Sequence, residues 1–190
     1  MEPAKKDLRI CGRQIYLRPI TAEDTESVVR WRNDKAVVDN FIYREPISEA
    51  EHRDWLRNKV ETGLVHQFIV CGNADDRPLG SVYLQNFDEA NGKAEEGIFL
   101  GEQELRGRGI GTEAAKLMLS YAFHTLGLHK LMARVLAYNR SSIRMHENAG
   151  YTREACLREE LFLNGRYEDL ILFGAINSEK QGAPLGRRKR

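Results

Sequence analysis

Arg106-Gly107-Arg108-Gly109-Ile110-Gly111-Thr112 decides how this chain is read. A β-like run ends at Leu100 before it, and an amphipathic helical pattern opens at Thr112 after it. Three glycines at a helix start expose backbone N–H groups that have no intrahelical partner. The helix dipole adds partial positive charge there, and Arg106 and Arg108 add full charges. The stretch therefore predicts a site for a phosphate or pyrophosphate.

Working outward, Thr112 to Leu126 places Ala115, Met118, Leu119, Ala122 and Leu126 on one helical face. Leu131 to Tyr138 then reads as a strand and Ser142 to Ala149 as a short helix closed by Gly150. Two further strands flank the Asn164-Gly165 turn. Upstream, Gln14 to Arg18 is a strand stopped by Pro19. Thr21 with Asp24 launches a helix through about Arg32, and Ser48 with Glu51 launches a second that ends near Gly63. His66–Cys71, Leu79–Phe87 and Lys93–Leu100 read as strands joined by the polar turns 73–78 and 88–92. The order predicts a mixed α/β (α+β) domain with a sheet of about seven strands and helices on both faces. The glycine loop then lies where a strand gives way to a crossover helix, a usual ligand position in open sheets.

The loop admits several phosphate readings. A Walker loop is excluded, since no Gly-Lys-Ser/Thr follows. Gly109-x-Gly111-x-x-Ala114 satisfies a dinucleotide fingerprint, but eight residues separate Leu100 from Gly109. The region that should supply a ribose-binding acid reads Ala133-Arg134-Val135. A ligand-free glycine turn would leave the paired arginines without a purpose.

The 190-residue length suits one domain: a lead over 1–12, a body over 13–177 and a flexible basic tail over 178–190 that ends Arg187-Arg188-Lys189-Arg190. No apolar run reaches membrane-span length, and the N-terminus lacks a signal-peptide core. Cys11, Cys71 and Cys156 are scattered with no CxxC pair, which fits a reducing cytoplasm and offers no zinc site. A net charge of +1 supplies no field for nucleic acid or a membrane surface.

Arg106-x-x-Gly109-x-Gly111 resembles the Q/R-x-x-G-x-G/A loop of the GNAT acyltransferases, which cradles the pyrophosphate of coenzyme A. The resemblance spans roughly Ile15 to Ile176. Ala94-Glu95-Glu96-Gly97-Ile98 resembles that family's central strand. Val135-Leu136-Ala137-Tyr138-Asn139 resembles the strand and asparagine after the coenzyme helix, and Met145-His146-Glu147-Asn148-Ala149-Gly150-Tyr151 resembles its Y-E-K-x-G-F motif. Leu17-Arg18-Pro19 and Gly165-Arg166-Tyr167-Glu168-Asp169 suggest the branch of ribosomal-protein, polyamine and amino-sugar N-acetyltransferases.

The resemblance implies a mostly antiparallel GNAT sheet whose central strand splays from a parallel neighbour just after Gly97–Leu100. It implies acetyl-CoA as co-substrate and no metal. Arg106, Gly107, Arg108, Gly109, Ile110, Gly111 and Thr112 would hold the pyrophosphate. The backbone of Phe99 and Leu100, with Asn139, would hold pantetheine, although Asn139 also reads as a helix cap. Adjacent Glu95 and Glu96 face opposite sides of a strand, so one of the two would sit beside the acetyl group and accept the amine proton through a water; Glu95, which aligns with the general base of some members, is favoured over Glu96, and solvated strand glutamates are the other reading. His146 stands where many members place a tyrosine acid, and it would protonate the leaving thiolate or be a surface histidine. Tyr138 and Tyr151 are local donors or packing residues.

Arg134 replaces a glutamate found in members that acetylate protein N-termini. Trp31, Arg32, Asn33, His52 and Trp55 would line the acceptor cleft, with arginine on a nucleotide diphosphate, asparagine on sugar hydroxyls and tryptophan on a ring. The tryptophans equally suit a core. The implied partner is a small amine, with a nucleotide-linked amino sugar first and a homodimer left open. A polyamine or ribosomal-protein acceptor, or a non-catalytic acyl-CoA-binding module, remains as an alternative.

Overall fold

Thr21 and Ser48 start helices as their spacing predicts. Asp24 reaches back to the Thr21 N–H at 2.8 Å, and Glu51 reaches back to the Ser48 N–H at 2.8 Å. The computed structural model describes residues 2, 4, 7–102, 105 and 107–178, so Arg106 and all of the basic tail after residue 178 lie outside the described residues. The strands are β1 (Ile10–Cys11), β2 (Ile15–Pro19), β3 (His66–Gly72), β4 (Pro78–Asp88), β5 (Lys93–Leu100), β6 (Lys130–Leu136), β7 (Thr152–Leu163) and β8 (Arg166–Ile176). The helices are α1 (Thr25–Asn33), α2 (Lys35–Val38), α3 (Glu49–Trp55), α4 (Ile110–Ser120) and α5 (Arg140–Ala149). Short wide turns at Leu56–Val60 and Tyr121–Thr125 extend α3 and α4.

The strands form one eight-stranded sheet in the order β1-β2-β3-β4-β5-β6-β8-β7. Every neighbouring pair is antiparallel except β5 and β6. The strand beyond the expected seven is β1, whose two residues pair with Leu17 and Tyr16 across the turn at Gly12. Two residues carry no alternation, which is why no sequence pattern marks it, and it places part of the expected lead inside the sheet. Glu113 of α4 secures this turn, accepting from the N–H of Arg13 and, at 2.9 Å, from that of Gln14.

Each face of the sheet buries its own core. On one side Ile110, Ala114, Ala115 and Met118 of α4 and Ile143 and Ala149 of α5 cover Phe68, Val82, Ala94, Leu131, Ala133 and Phe173. On the other, Val28 and Trp31 of α1, Val37 of α2 and Leu56 cover Tyr16, Ile69, Cys71 and Phe99. The strands alternate between these two cores, so consecutive side chains of β5 enter different environments.

Candidate functional site

The glycine loop is a bare stretch of backbone at a helix start. Gly107 and Gly109 take φ +77 and +81, and Gly109 is the N-cap of the 11-residue α4. A Cβ at either would meet no atom within 4 Å, so the loop faces open space. Ile110, Gly111 and Thr112 begin the helix, where N–H groups have no intrahelical acceptor and the dipole is positive. Gly111 has a second reason to be small: a Cβ there would lie 2.9 Å from Met145 Sδ, so it lets α5 approach α4. Arg108 is exposed beside the loop.

Next to the loop the sheet opens. The β5–β6 ladder runs from Lys93↔Lys130 to Glu96↔Ala133 and stops, although β5 continues to Leu100 and β6 to Leu136. The splay therefore includes Gly97–Leu100 rather than following it. This β5 edge has no β6 partner residue, while its other edge stays paired with β4 through Leu100↔Gly80. Backbone groups held this way are oriented before any ligand arrives. The Phe99 side chain packs edge-on against Trp31 and Phe41, so what it offers the opening is backbone. Asn139, just past β6, caps α5 by accepting from the Ser142 N–H at 3.0 Å.

Glu95 and Glu96 part to opposite faces, as adjacency in a strand requires. Glu95 lies on the α1–α3 side, where Arg134 Nε donates to it at 2.9 Å and Asn86 Nδ2 at 3.2 Å. Burial alone disfavours the Arg134 charge, but the Glu95 contact outweighs it and raises the Arg134 pKa. Glu96 lies on the α4–α5 side at 3% exposure, with Oε2 accepting from the Tyr151 hydroxyl and Oε1 without a partner. Burial pushes its pKa up to about 8, against the opposing pull of the Tyr151 hydrogen bond.

The structure corrects the surface reading of His146, and its surroundings disfavour the acid role. His146 is no surface residue: its ring is buried, stacked on Phe173 at 5.4 Å and edge-on to Tyr151 at 5.1 Å. Its Nδ1 lies 2.8 Å from the Ser142 carbonyl, so that nitrogen carries the proton and donates it. Burial lowers the His146 pKa despite this contact, which disfavours the imidazolium an acid would need.

The expected acceptor residues separate. Trp31 is core at 1% exposure, with its indole N–H donating to Glu102 at 3.2 Å and its ring filling the space beside Gly101. His52 is buried with Nδ1 3.1 Å from Thr25 Oγ1. Asn33 holds the α2–α3 loop, exchanging hydrogen bonds of 2.8 and 2.9 Å with the Ile47 backbone. None of these three presents its ring or amide to a cleft, because packing and loop closure already use them. Trp55 is half-buried, donating to Gln67 at 2.9 Å, and lines a groove of about 500 Å³ with Leu64, Gln85 and Asn86. Asn86 connects this groove to Glu95.

Arg32 lies on the Glu95 side of the sheet. It lies over the Phe41 ring at 4.2 Å, and its Nη2 contacts the Tyr43 carbonyl at 3.4 Å. Its Nε is buried without a partner, and burial lowers its pKa. Tyr83, Arg134 and Arg44 were not marked as site residues by the sequence. Tyr83 lies opposite Gly97, and a Cβ at Gly97 would meet the phenol end at 2.2 Å. Burial raises the Tyr83 pKa, and Arg32, Glu95, Arg134 and Glu96 are the charges that act on it. Arg44 donates to Tyr138 and, at 2.9 Å, to the Asp39 carbonyl, leaving Nη1 buried without a partner. Glycine at 97 is the one sequence signal of Tyr83, readable only once the β4–β5 register is known. Among the described residues no helix is long and apolar enough to cross a membrane, and no group of His, Cys, Asp and Glu could hold a metal ion.

Residues 14–152 match the family described as acetyltransferase (GNAT) domain. A probable N-acetyltransferase of Bacillus subtilis is 30% identical, with 90% of this chain and 98% of that protein covered. The spermidine N(1)-acetyltransferase of Escherichia coli K12 is 30% identical, with 83% of each covered. The crystal structure of spermidine N-acetyltransferase from Vibrio cholerae in complex with CoA and spermine superimposes with a TM-score of 0.80 at 26% identity, covering 87% of this chain and 96% of that one.

Proposed function

The chain belongs to the GNAT acetyltransferase family, and we propose that the amine it acetylates is a small molecule that also carries an anionic group. It is an acetyl-CoA-dependent N-acetyltransferase. A nucleotide-linked amino sugar is the first choice of acceptor. The observation that carries this reading is the Arg32 guanidinium, whose buried Nε has no partner on the face that holds Glu95. A buried donor without an acceptor is costly, and a phosphate or carboxylate oxygen would satisfy it. Arg134 and Arg44 add positive charge around Tyr43 and Tyr138, with Glu95, Glu168 and Asp39 as the opposing carboxylates.

In this reading the coenzyme pyrophosphate rests on the N–H groups of 107–112, and pantetheine follows the open β5 edge. A β5 backbone N–H polarises the thioester carbonyl as negative charge develops on it. The amine enters from the α1–α3 side, attacks the carbonyl carbon and passes a proton to Glu95, directly or through one water.

The spermidine acetyltransferase relatives favour a polyamine as the second reading. Arg32 and Arg134, which act on Tyr83 with Glu95 on their own face and Glu96 on the opposite one, suit a polycation poorly, since like charges repel in a partly dry cleft. Release of the coenzyme thiol separates the two across nucleotide-diphosphate amino sugars, spermidine and peptide N-termini. An anionic amine should be turned over best, and Arg32→Gln should raise its KM without changing that of acetyl-CoA. Efficient turnover of spermidine with none of any anionic amine would show the acceptor proposal wrong.

A further inference from the structure

We propose that Glu96, supported by Tyr151, donates the proton that the departing coenzyme A thiolate takes up at the base of the β5–β6 opening. The inference rests on the acetyltransferase reading above and assigns a second proton carrier to the same reaction.

Position comes first. Glu96 is the last β5 residue paired with β6, so its side chain lies where the two strands begin to part. Its neighbours on the same face of β5 are Ala94 and Ile98, which pack into the α4–α5 core. An apolar residue would fit that row at lower cost, because a carboxyl buried without a cation must give up its hydration or its charge. Nothing in the packing requires an acid at this point. The carboxyl is also half-satisfied in a directional way: Tyr151 supplies Oε2, while Oε1 is buried with no partner. With its pKa pushed up to about 8, the group holds a proton at neutral pH. With Oε2 taken, that proton belongs on Oε1, a buried O–H with no partner, carried by the residue at which the β5–β6 ladder ends.

The chemistry closes on these atoms. The amine lone pair forms the C–N bond, and the C–S bond breaks with its electron pair going to sulfur. The Oε1 proton moves to that sulfur, giving the free thiol, while the ammonium proton leaves by way of Glu95 on the opposite face. Glu96 is left as a carboxylate, to which the Tyr151 hydroxyl still donates, and it regains a proton from solvent as the product departs. Tyr151 is here a positioning residue: its hydrogen bond holds the carboxyl and stabilises the charged form. His146 lies behind the Tyr151 ring and donates its own proton to Ser142, so it does not compete for the role.

Among the described residues, the other ionisable groups buried on this face are His66 and Tyr121, hydrogen-bonded to each other at 2.8 Å. His66 sits in the same row two strands away, with Leu84 between it and Glu96. Burial keeps that pair uncharged too, lowering the His66 pKa and raising that of Tyr121. Ala133 and Val135 of β6 and Ile171 and Phe173 of β8 complete this part of the core without charge.

The test is the pH dependence of kcat in three variants. Wild type should show an alkaline limb as Glu96 loses its proton. Glu96→Gln should lower kcat by ~10²-fold with little change in the KM for acetyl-CoA, and should remove the limb. Tyr151→Phe should keep the limb but move it to higher pH, because the hydrogen bond that favours the carboxylate is gone. Glu96→Leu should lose the same activity yet melt at a higher temperature than wild type, which separates a lost proton donor from a damaged fold. Wild-type kcat and an unchanged pH profile in both Glu96 variants would overturn the proposal. A wild-type protein that releases no thiol with any amine would overturn the acetyl-transfer reading itself, and this inference with it.

Discussion

At the scale of single residues, the two central glutamates have opposite surroundings. Glu95 is held by Arg134 and Asn86 on the α1–α3 side, and Glu96 is enclosed with Tyr151 on the other. In the proposed reaction Glu95 takes the amine proton, so Glu95→Gln should lower kcat by ~10²–10⁴-fold and leave acetyl-CoA affinity near wild type, as calorimetry and thiol-release rates would report. The alternation of a strand was enough to foresee that the pair would divide between faces. What each would meet there was not legible, because Arg134 and Tyr151 are 39 and 55 residues away along the chain. His146 shows the same limit. Its place in a motif suggested an acid, but whether its ring meets water or Phe173 is settled by packing that no local pattern records.

At the scale of elements, more could be read in advance. Both capping boxes, all of β5, the Asn164-Gly165 turn and the glycine start of α4 carry local signals, and each forms. Asn164 and Gly165 take φ +51 and +81, the left-handed pair that a two-residue hairpin needs. The sequence is silent where structure depends on register. That the β5–β6 ladder stops at Glu96 is a property of two strands separated by α4, and no residue type at 97–100 announces it. Gly97 is informative only through its partner, since the Tyr83 phenol occupies the space its side chain would take. Trp31 and His52 follow the same logic on the helices: residues suited to binding were recruited to packing, because α1 and α3 must cover Ile69 and Phe99.

At the scale of the molecule, both cores enclose ionisable groups, and this links stability to pH. His52, His66 and His146 all have pKa values lowered by burial from a model-compound 6.5. The unfolded chain therefore binds protons that the fold refuses, so their contribution is present above about pH 6.5 and lost as pH falls below it. Glu96 has the opposite sign. Raised from 4.5 to about 8, it favours the fold at low pH and loses that contribution as pH rises towards 8. Thermal melts should show the midpoint falling from pH 7 to pH 5, with the fall blunted in His66→Phe; the gain from Glu96→Leu should grow from pH 5 to pH 8. A coenzyme held on bare backbone, as proposed for the loop before α4, would depend on the shape of that loop more than on any side chain there. Calorimetric titration of acetyl-CoA into wild type, Gly109→Val and Gly165→Val measures this directly, since both glycines have φ +81 and open surroundings but only the first lies at the start of α4. Gly109→Val should weaken binding at least about tenfold, a change of roughly 1.4 kcal/mol, while Gly165→Val retains wild-type affinity. Equal affinity in wild type and Gly109→Val would contradict the assignment of the coenzyme to this loop.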